Sequence, residues 1–319
     1  MALGLAACAR LPRDPLVPVP EPLSAGRRAL FGLDPPRTAP LEYAQTLREE
    51  TSDAVIYDVK IQRPAAERRD GDPPLAEFEL YEPLHAPPPW PAVVVSPILK
   101  GGYVLERWVA GVLVPEGIAV AIPMQPAEPI PSDRSPEELA DSFLESVRGT
   151  RAVVDWLATW DRADATRLGS VGTSLGALRN VVLLAGEPRL RANLLALGGL
   201  DAGWILAHST ERSVDRYRRE RAALEGIDEA ALARRFASAF FFHDETTARA
   251  VDGRTVLLVL ARSDDAVPFE SGLALREALG RPETRVVPLG HYGTLLALPW
   301  IRVWMIDFFR ERFFGARRS

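Results

Sequence analysis

A serine hydroxyl becomes a strong nucleophile when a base takes its proton, and the base works best when a third group orients it. The chain offers a residue of each type in a setting suited to that work. Ser174 sits in Gly172-Thr173-Ser174-Leu175-Gly176, Asp264 follows the apolar run 255–261, and His291 lies in Leu289-Gly290-His291-Tyr292-Gly293. The chemistry such a set can do is acyl transfer to water through a serine ester.

Each assignment rests on local context. A nucleophilic serine needs a tight strand-to-helix turn, with small residues two before and two after it. Gly172 and Gly176 supply these, 168–171 reads as a strand and 175–185 as a helix. That helix also aims its first N–H groups at the site, where negative charge would develop. The plainer alternative is a turn serine.

The base is sought among His85, His208, His243 and His291. His85 precedes the parallel-strand region beside a proline run. His208 and His243 fall in a helical insertion, as cap-surface or substrate-side residues. His291 follows the last strand candidate, and its flanking glycines suit a loop reaching the sheet edge; the alternative is a surface-loop histidine. The acid is Asp264 in Ser263-Asp264-Asp265-Ala266-Val267-Pro268, with Asp265 its solvent-facing neighbour and Asp201 the alternative after the preceding strand.

An oxyanion hole would pair the N–H of Leu175 with one from the loop 96–102, Ser96-Pro97-Ile98-Leu99-Lys100-Gly101-Gly102. Pro97 has no N–H, so Ile98 or Leu99 must donate, and Ile98 is favoured. Lys100 either meets an anionic substrate or points to water, the latter being the plainer reading.

These residues need a scaffold. Segments 53–63 and 75–81 alternate as strands and predict an opening antiparallel pair. From residue 91 strands and helices alternate: strands at 92–95, 118–122, 168–171, 193–197, 255–260 and 285–287, and helices at 103–114, 135–160, 175–185 and 300–314. Ser135 is the expected N-cap of the long helix, with Glu137 and Glu138 in its first turn. Repeated strand–helix units imply a mainly parallel sheet with helices on both faces. The Arg- and Glu-rich stretch 202–252 has a helical pattern and no strand, so it is expected to be an inserted helical cap.

With these pieces in place the chain resembles the α/β-hydrolase superfamily from about residue 92 to 314. The resemblance rests on the G-x-S-x-G turn, the order Ser…Asp…His, the D-x-x-V-P acid loop and the run 167–176. Trp156 on a helix and Asp161/Asp164 before the strand resemble dienelactone-hydrolase-like and acetyl-xylan-esterase-like members. Ser174 stands where dienelactone hydrolases proper carry cysteine. The resemblance implies a serine hydrolase without metal or organic cofactor, acting on a small-molecule carboxylic ester through an acyl-enzyme. A peptidase or amidase of the same fold, and a non-catalytic lipid-anchored binding protein, are the alternatives.

At 319 residues the chain is long enough for one large α/β domain, and its net charge of -5 lacks the basic footprint of a nucleic-acid binder. Residues 41–319 are expected to form the hydrolase domain. The first 40 read as a leader and Pro-rich tether, with Pro12, Pro15, Pro18, Pro20 and Pro22 favouring extended chain. Leu5-Ala6-Ala7-Cys8 resembles a lipoprotein signal, making Cys8 the candidate lipidation residue and the cell envelope the expected location, with the cytoplasm as alternative. No Lys or Arg precedes Cys8 and the apolar stretch before it is short; an upstream start would account for both.

Overall fold

A computed structural model of the chain describes residues 8–14, 17–33, 36–69, 71–99, 102–125 and 130–315. Lys100, Gly101, Pro15 and the apolar residues before Cys8 lie outside the described residues. In chain order the elements are β1 (Ala9–Leu11), α1 (Ala25–Phe31), β2 (Tyr43–Glu50), β3 (Ala54–Ile61), β4 (Ala76–Pro83), β5 (Trp90–Ser96), α2 (Val104–Leu113), β6 (Ala119–Pro123), α3 (Pro136–Leu157), β7 (Ala163–Thr173), α4 (Leu175–Gly186) and β8 (Leu190–Ala196). Then come α5 (Ala202–His208), α6 (Arg212–Glu225), α7 (Glu229–Ala239), α8 (Glu245–Arg249), β9 (Val256–Ala261), α9 (Phe269–Ala278), β10 (Glu283–Val287) and α10 (Leu298–Phe314).

The strands form one ten-stranded sheet in the order β1-β10-β9-β8-β7-β5-β6-β4-β3-β2. Its centre, from β6 through β10, is parallel, while β2, β3, β4 and β1 pair antiparallel. Central strands such as β5, β6 and β9 are buried along their whole length, as a strand covered on both faces must be. The period of two sorts their side chains. Ala92, Val94, Leu258 and Leu260 face one apolar cluster with residues of α3 and α4. Val93, Val95, Leu257 and Val259 face another with residues of α2 and α10. This is the α/β-hydrolase fold.

The topology creates the crevice. From β5 the chain crosses to β6 by α2, then returns to the other side of β5 to make β7. In open α/β sheets such a reversal leaves a cleft at the carboxyl ends of the two strands. Ser96 and Gly172 are register partners there, so the loop after β5 and the turn after β7 leave the sheet side by side. The expected cap is made of α5 to α8, with a small core of Leu206, Tyr217, Ala222 and Leu232. Ser135 caps α3 as expected, and Glu138 closes a capping box with it.

The amino-terminal region differs from the expected tether. There β1 adds an edge strand on β10, and α1 docks on the body. Ser24 caps α1 at its start, and Gly32, with φ +69°, ends it. Phe31 is fully buried, Leu23 and Leu33 nearly so, and Arg148 on α3 donates to the Phe31 carbonyl. Three well-spaced apolar anchors suffice because their receptors already exist on α3, α4 and the cap, and no local periodicity is needed. Cys8 is partly buried against the α10-side cluster. No helix among the described residues is long and apolar enough to cross a membrane.

Removing the Phe31 ring tests this docking. Phe31→Ala is expected to cost about 3–5 kcal/mol in urea unfolding. A free tether would give no change.

Candidate active site

The turn after β7 gives Ser174 φ 53° and ψ −121°, a backbone conformation that L-residues adopt only under constraint. Tight packing supplies it. A Cβ on Gly172 would stand 2.5 Å from the Gly176 carbonyl oxygen, and one on Gly176 would overlap the Ser96 carbonyl oxygen. The Ser174 N–H donates to the Ala196 carbonyl of β8 at 2.9 Å. The Ser174 carbonyl accepts from Ala177 and Leu178, starting α4. The N–H of Leu175, an orphan of the helix start, has no partner among the described residues.

His291 reaches this serine from the loop after β10. Its Nε2 accepts from Ser174 Oγ at 3.1 Å, and its Nδ1–H donates to Asp264 at 2.8 and 2.9 Å. A carboxylate can only accept, so this contact fixes the tautomer with Nε2 free to take a proton. Asp264 is nearly buried and is itself held by the N–H groups of Ala266 and Val267 at 3.0 and 2.9 Å. The two loops are tied directly, Ser263 N–H donating to the Leu289 carbonyl. Asp265 is exposed, and Asp201, also exposed, caps α5 through the Trp204 N–H. The structure therefore brings Ser174, His291 and Asp264 together and leaves the other two acids outside.

The cap is stitched to the same loops. Ser209 donates to the Ala266 carbonyl, Thr210 N–H to the Asp265 carbonyl, and Tyr292 OH to Glu211. Burial, then the Glu211 carboxylate, raises the Tyr292 pKa.

The favoured oxyanion donor is placed differently. The Ile98 N–H donates to Oε1 of the buried Glu106 at 2.8 Å, so it is already engaged. On the same peptide unit, the Pro97 carbonyl accepts from Arg179 Nη1 at 3.4 Å. The Pro97–Ile98 peptide thus lies between a cation at its oxygen and an anion at its hydrogen. Leu99 N–H, the other donor available from sequence, has no partner among the described residues.

An apolar cavity of about 50 Å³ adjoins His291. Leu105, Trp108, Val109, Leu197, Leu295 and Leu298 are among its walls, on the α2 and α10 side of the sheet. The large aromatics of the cap do not line it: Tyr217 packs in the cap core, and Phe240 and Phe242 pack against Phe143. Glu106 and Arg179 were not singled out from sequence. Their signal was a charge within an otherwise apolar helical run, VLERWVAGVL and LGALRNVVLLAG.

The remaining histidines stand apart. His85 is exposed and contacts the Ser52 carbonyl, and exposed His208 stacks on Trp204. His243, expected at a surface or substrate side, is buried beside Phe143 with neither ring nitrogen bonded. Burial pushes its pKa down to about 4, against the opposing pull of Asp201 and Asp244.

No family model matches the chain, and no curated protein does. Solved structures do. An acetyl xylan esterase from Paenibacillus sp. R4 aligns with TM-score 0.66 and 19% identity, covering 90% of this chain and 92% of its own. Acetyl xylan esterase 1 from Thermoanaerobacterium sp. JW/SL YS485 gives 0.61 and 17%, over 88% and 94%. A glucuronoyl esterase from Solibacter usitatus gives 0.58 and 13%, over 91% and 93%. At these identities the likeness is one of fold.

Two outcomes are expected. Gly176→Ala should abolish labelling of Ser174 by a fluorophosphonate, because its Cβ meets backbone that cannot yield. For His243, the unfolded chain binds a proton below its ordinary value of 6.5 and the folded chain only below about 4, so stability falls as pH drops through that window. At pH 5 the loss is about 2 kcal/mol relative to pH 7. His243→Leu should remove that increment from the urea midpoint's pH dependence; an unchanged acid limb would reject the assignment.

Proposed function

We propose that the protein is a serine hydrolase of carboxylic esters working through an acyl-enzyme. The observation that carries this reading is the relay from Asp264 through His291 to Ser174, with Oγ–Nε2 at 3.1 Å and an apolar cavity lined in part by His291. The esterases that share the fold support the choice of an ester bond.

In the first step His291 Nε2 takes the Ser174 proton as Oγ attacks the ester carbonyl. The negative charge moves to the carbonyl oxygen, where the N–H groups of Leu175 and Leu99 stabilise it. The carbonyl re-forms, the alkoxide leaves, and His291 returns the proton to it as an alcohol. Water then attacks the acyl-serine while His291 takes its proton, and collapse of that second oxyanion frees the acid and restores Ser174. Asp264 keeps the imidazole oriented and stabilises its cationic form throughout. The cavity has room for roughly three or four water-sized units, which suits a short acyl group. Envelope attachment through a lipidated Cys8 belongs to the proposal as well, and Cys8→Ser should then release the protein from the membrane fraction.

The deciding measurement is fluorophosphonate labelling with turnover of p-nitrophenyl acetate, butyrate and octanoate. The wild type should label and favour acetate, while Ser174→Ala should neither label nor retain more than about 10⁻³ of the rate. A folded wild type that does not label would overturn the reading.

A further inference from the structure

Among the described residues, Arg179 is a cation without a counter-charge beside this site. Elsewhere in the fold, the enclosed guanidiniums of Arg151 and Arg189 share Asp155 and Glu187, and even the half-exposed Arg48, Arg107 and Arg162 meet the buried Glu79 and Glu82. Arg179 has no carboxylate partner among the described residues. Its Nη1 donates to two neutral oxygens, Gln125 Oε1 at 2.8 Å and the Pro97 carbonyl at 3.4 Å, and its plane lies over the Phe143 ring. Nε is sealed from solvent and unbonded, and the side chain as a whole stays partly open. Nη2 has no acceptor among the described residues and is not sealed from solvent as Nε is. With Nε sealed, Nη2 is the nitrogen left to meet an anion from outside.

An enclosed charge with only neutral partners is costly, and burial pulls this guanidinium down to about 10. Its place explains why it would be kept. Arg179 stands on α4 roughly 7 Å of helix rise beyond Ser174. The groups around it come from the loop after β5, the segment after β6, and α3, at the carboxyl edge of the parallel strands. The apolar cavity lies on the opposite side of the sheet, toward α2 and α10. The two sides of Ser174 thus differ, one small and apolar, the other carrying an unpaired cation.

We propose that Arg179 forms an anion subsite for the alcohol half of the substrate, so that the preferred substrates are short-chain esters of alcohols bearing a carboxylate. This rests on the esterase reading above and names its substrate class.

The test compares 4-acetoxybenzoate with its neutral methyl ester, each rate corrected for alkaline hydrolysis. In the wild type the anionic ester should be preferred at least tenfold in kcat/KM, mostly through KM, and added salt should shrink that preference. Arg179→Gln should cut the preference roughly ten- to a hundredfold, the range expected for losing a charge-assisted contact, and Arg179→Lys should restore part of it. A wild type without preference overturns the proposal, and so does Arg179→Gln losing both esters equally, since the arginine then serves only the Pro97 loop. Preference for 4-nitrophenyl hydrogen glutarate, whose carboxylate is in the acyl half, would overturn the assignment of sides.

A glutamine variant that does not fold leaves the decision to the wild-type preference and its salt dependence. Calorimetric titration of Ser174→Ala with 4-hydroxybenzoate reads the subsite without turnover. Binding there that vanishes with Arg179→Gln, in a protein whose wild type neither labels nor turns over ester, would sink the esterase reading and leave the subsite standing.

Discussion

The peptide geometry at Ser174 governs the rest of the site. A residue held at φ 53° carries a cost on the order of 1–3 kcal/mol and persists only where the surroundings over-determine it. Here the surroundings are backbone. Gly176 lies against the carbonyls of Ser96 and Pro97, Gly172 lies against Gly176, and the Ser174 N–H is tied to β8. These contacts require β5, β7 and β8 to be adjacent and in the register they have. The burial of those strands by two helical layers keeps them so. The same contact brings the loop after β5 against the start of α4, so one close approach both strains Ser174 and sets that loop beside the Leu175 N–H.

The remaining two members depend on this edge in a weaker way. Asp264 and His291 follow β9 and β10, and their loops meet through Ser263 and Leu289. Neither requires an unusual backbone conformation. Their geometry is fixed by hydrogen bonds, two main-chain donors on the Asp264 carboxylate and two contacts from His291 Nδ1. The cap adds anchors through Ser209, Thr210 and Tyr292, tying α5 and α6 to the loops that carry Asp264 and His291.

What sequence could and could not reveal follows from the range of the forces involved. The parallel strands were legible because burial on both faces demands continuous apolar runs, and α3 because its cap is local. Ser174, Asp264 and His291 were legible because each sits just after a strand in a short motif. β2 was not, since an edge strand exposed along its length carries no alternation. β1 and α1 were not, since what holds them is a partner strand and a receptor surface hundreds of residues away. Ile98 was misplaced for a similar reason. Chain order brings its N–H near the elbow, but the buried Glu106 carboxylate on α2 claims it. His243 reads as polar in sequence, and only the packing of Phe143 around it makes it neutral core.

The Pro97–Ile98 peptide ties these threads together. Arg179 at its oxygen and Glu106 at its hydrogen align with the peptide dipole, so each charge is partly compensated by the other through the bond between them. That compensation is incomplete on both sides. Glu106 Oε2 and Arg179 Nε are each enclosed without a partner. A fold that needed only to fix the loop could do so with neutral donors and acceptors at lower desolvation cost. Opposite charges on either side of the oxyanion loop instead give the site a field running from the α4 side to the α2 side. For Glu106 the engaged peptide accounts for the position. For Arg179 a neutral carbonyl and a neutral amide do not, which is the opening the proposed anion subsite would fill.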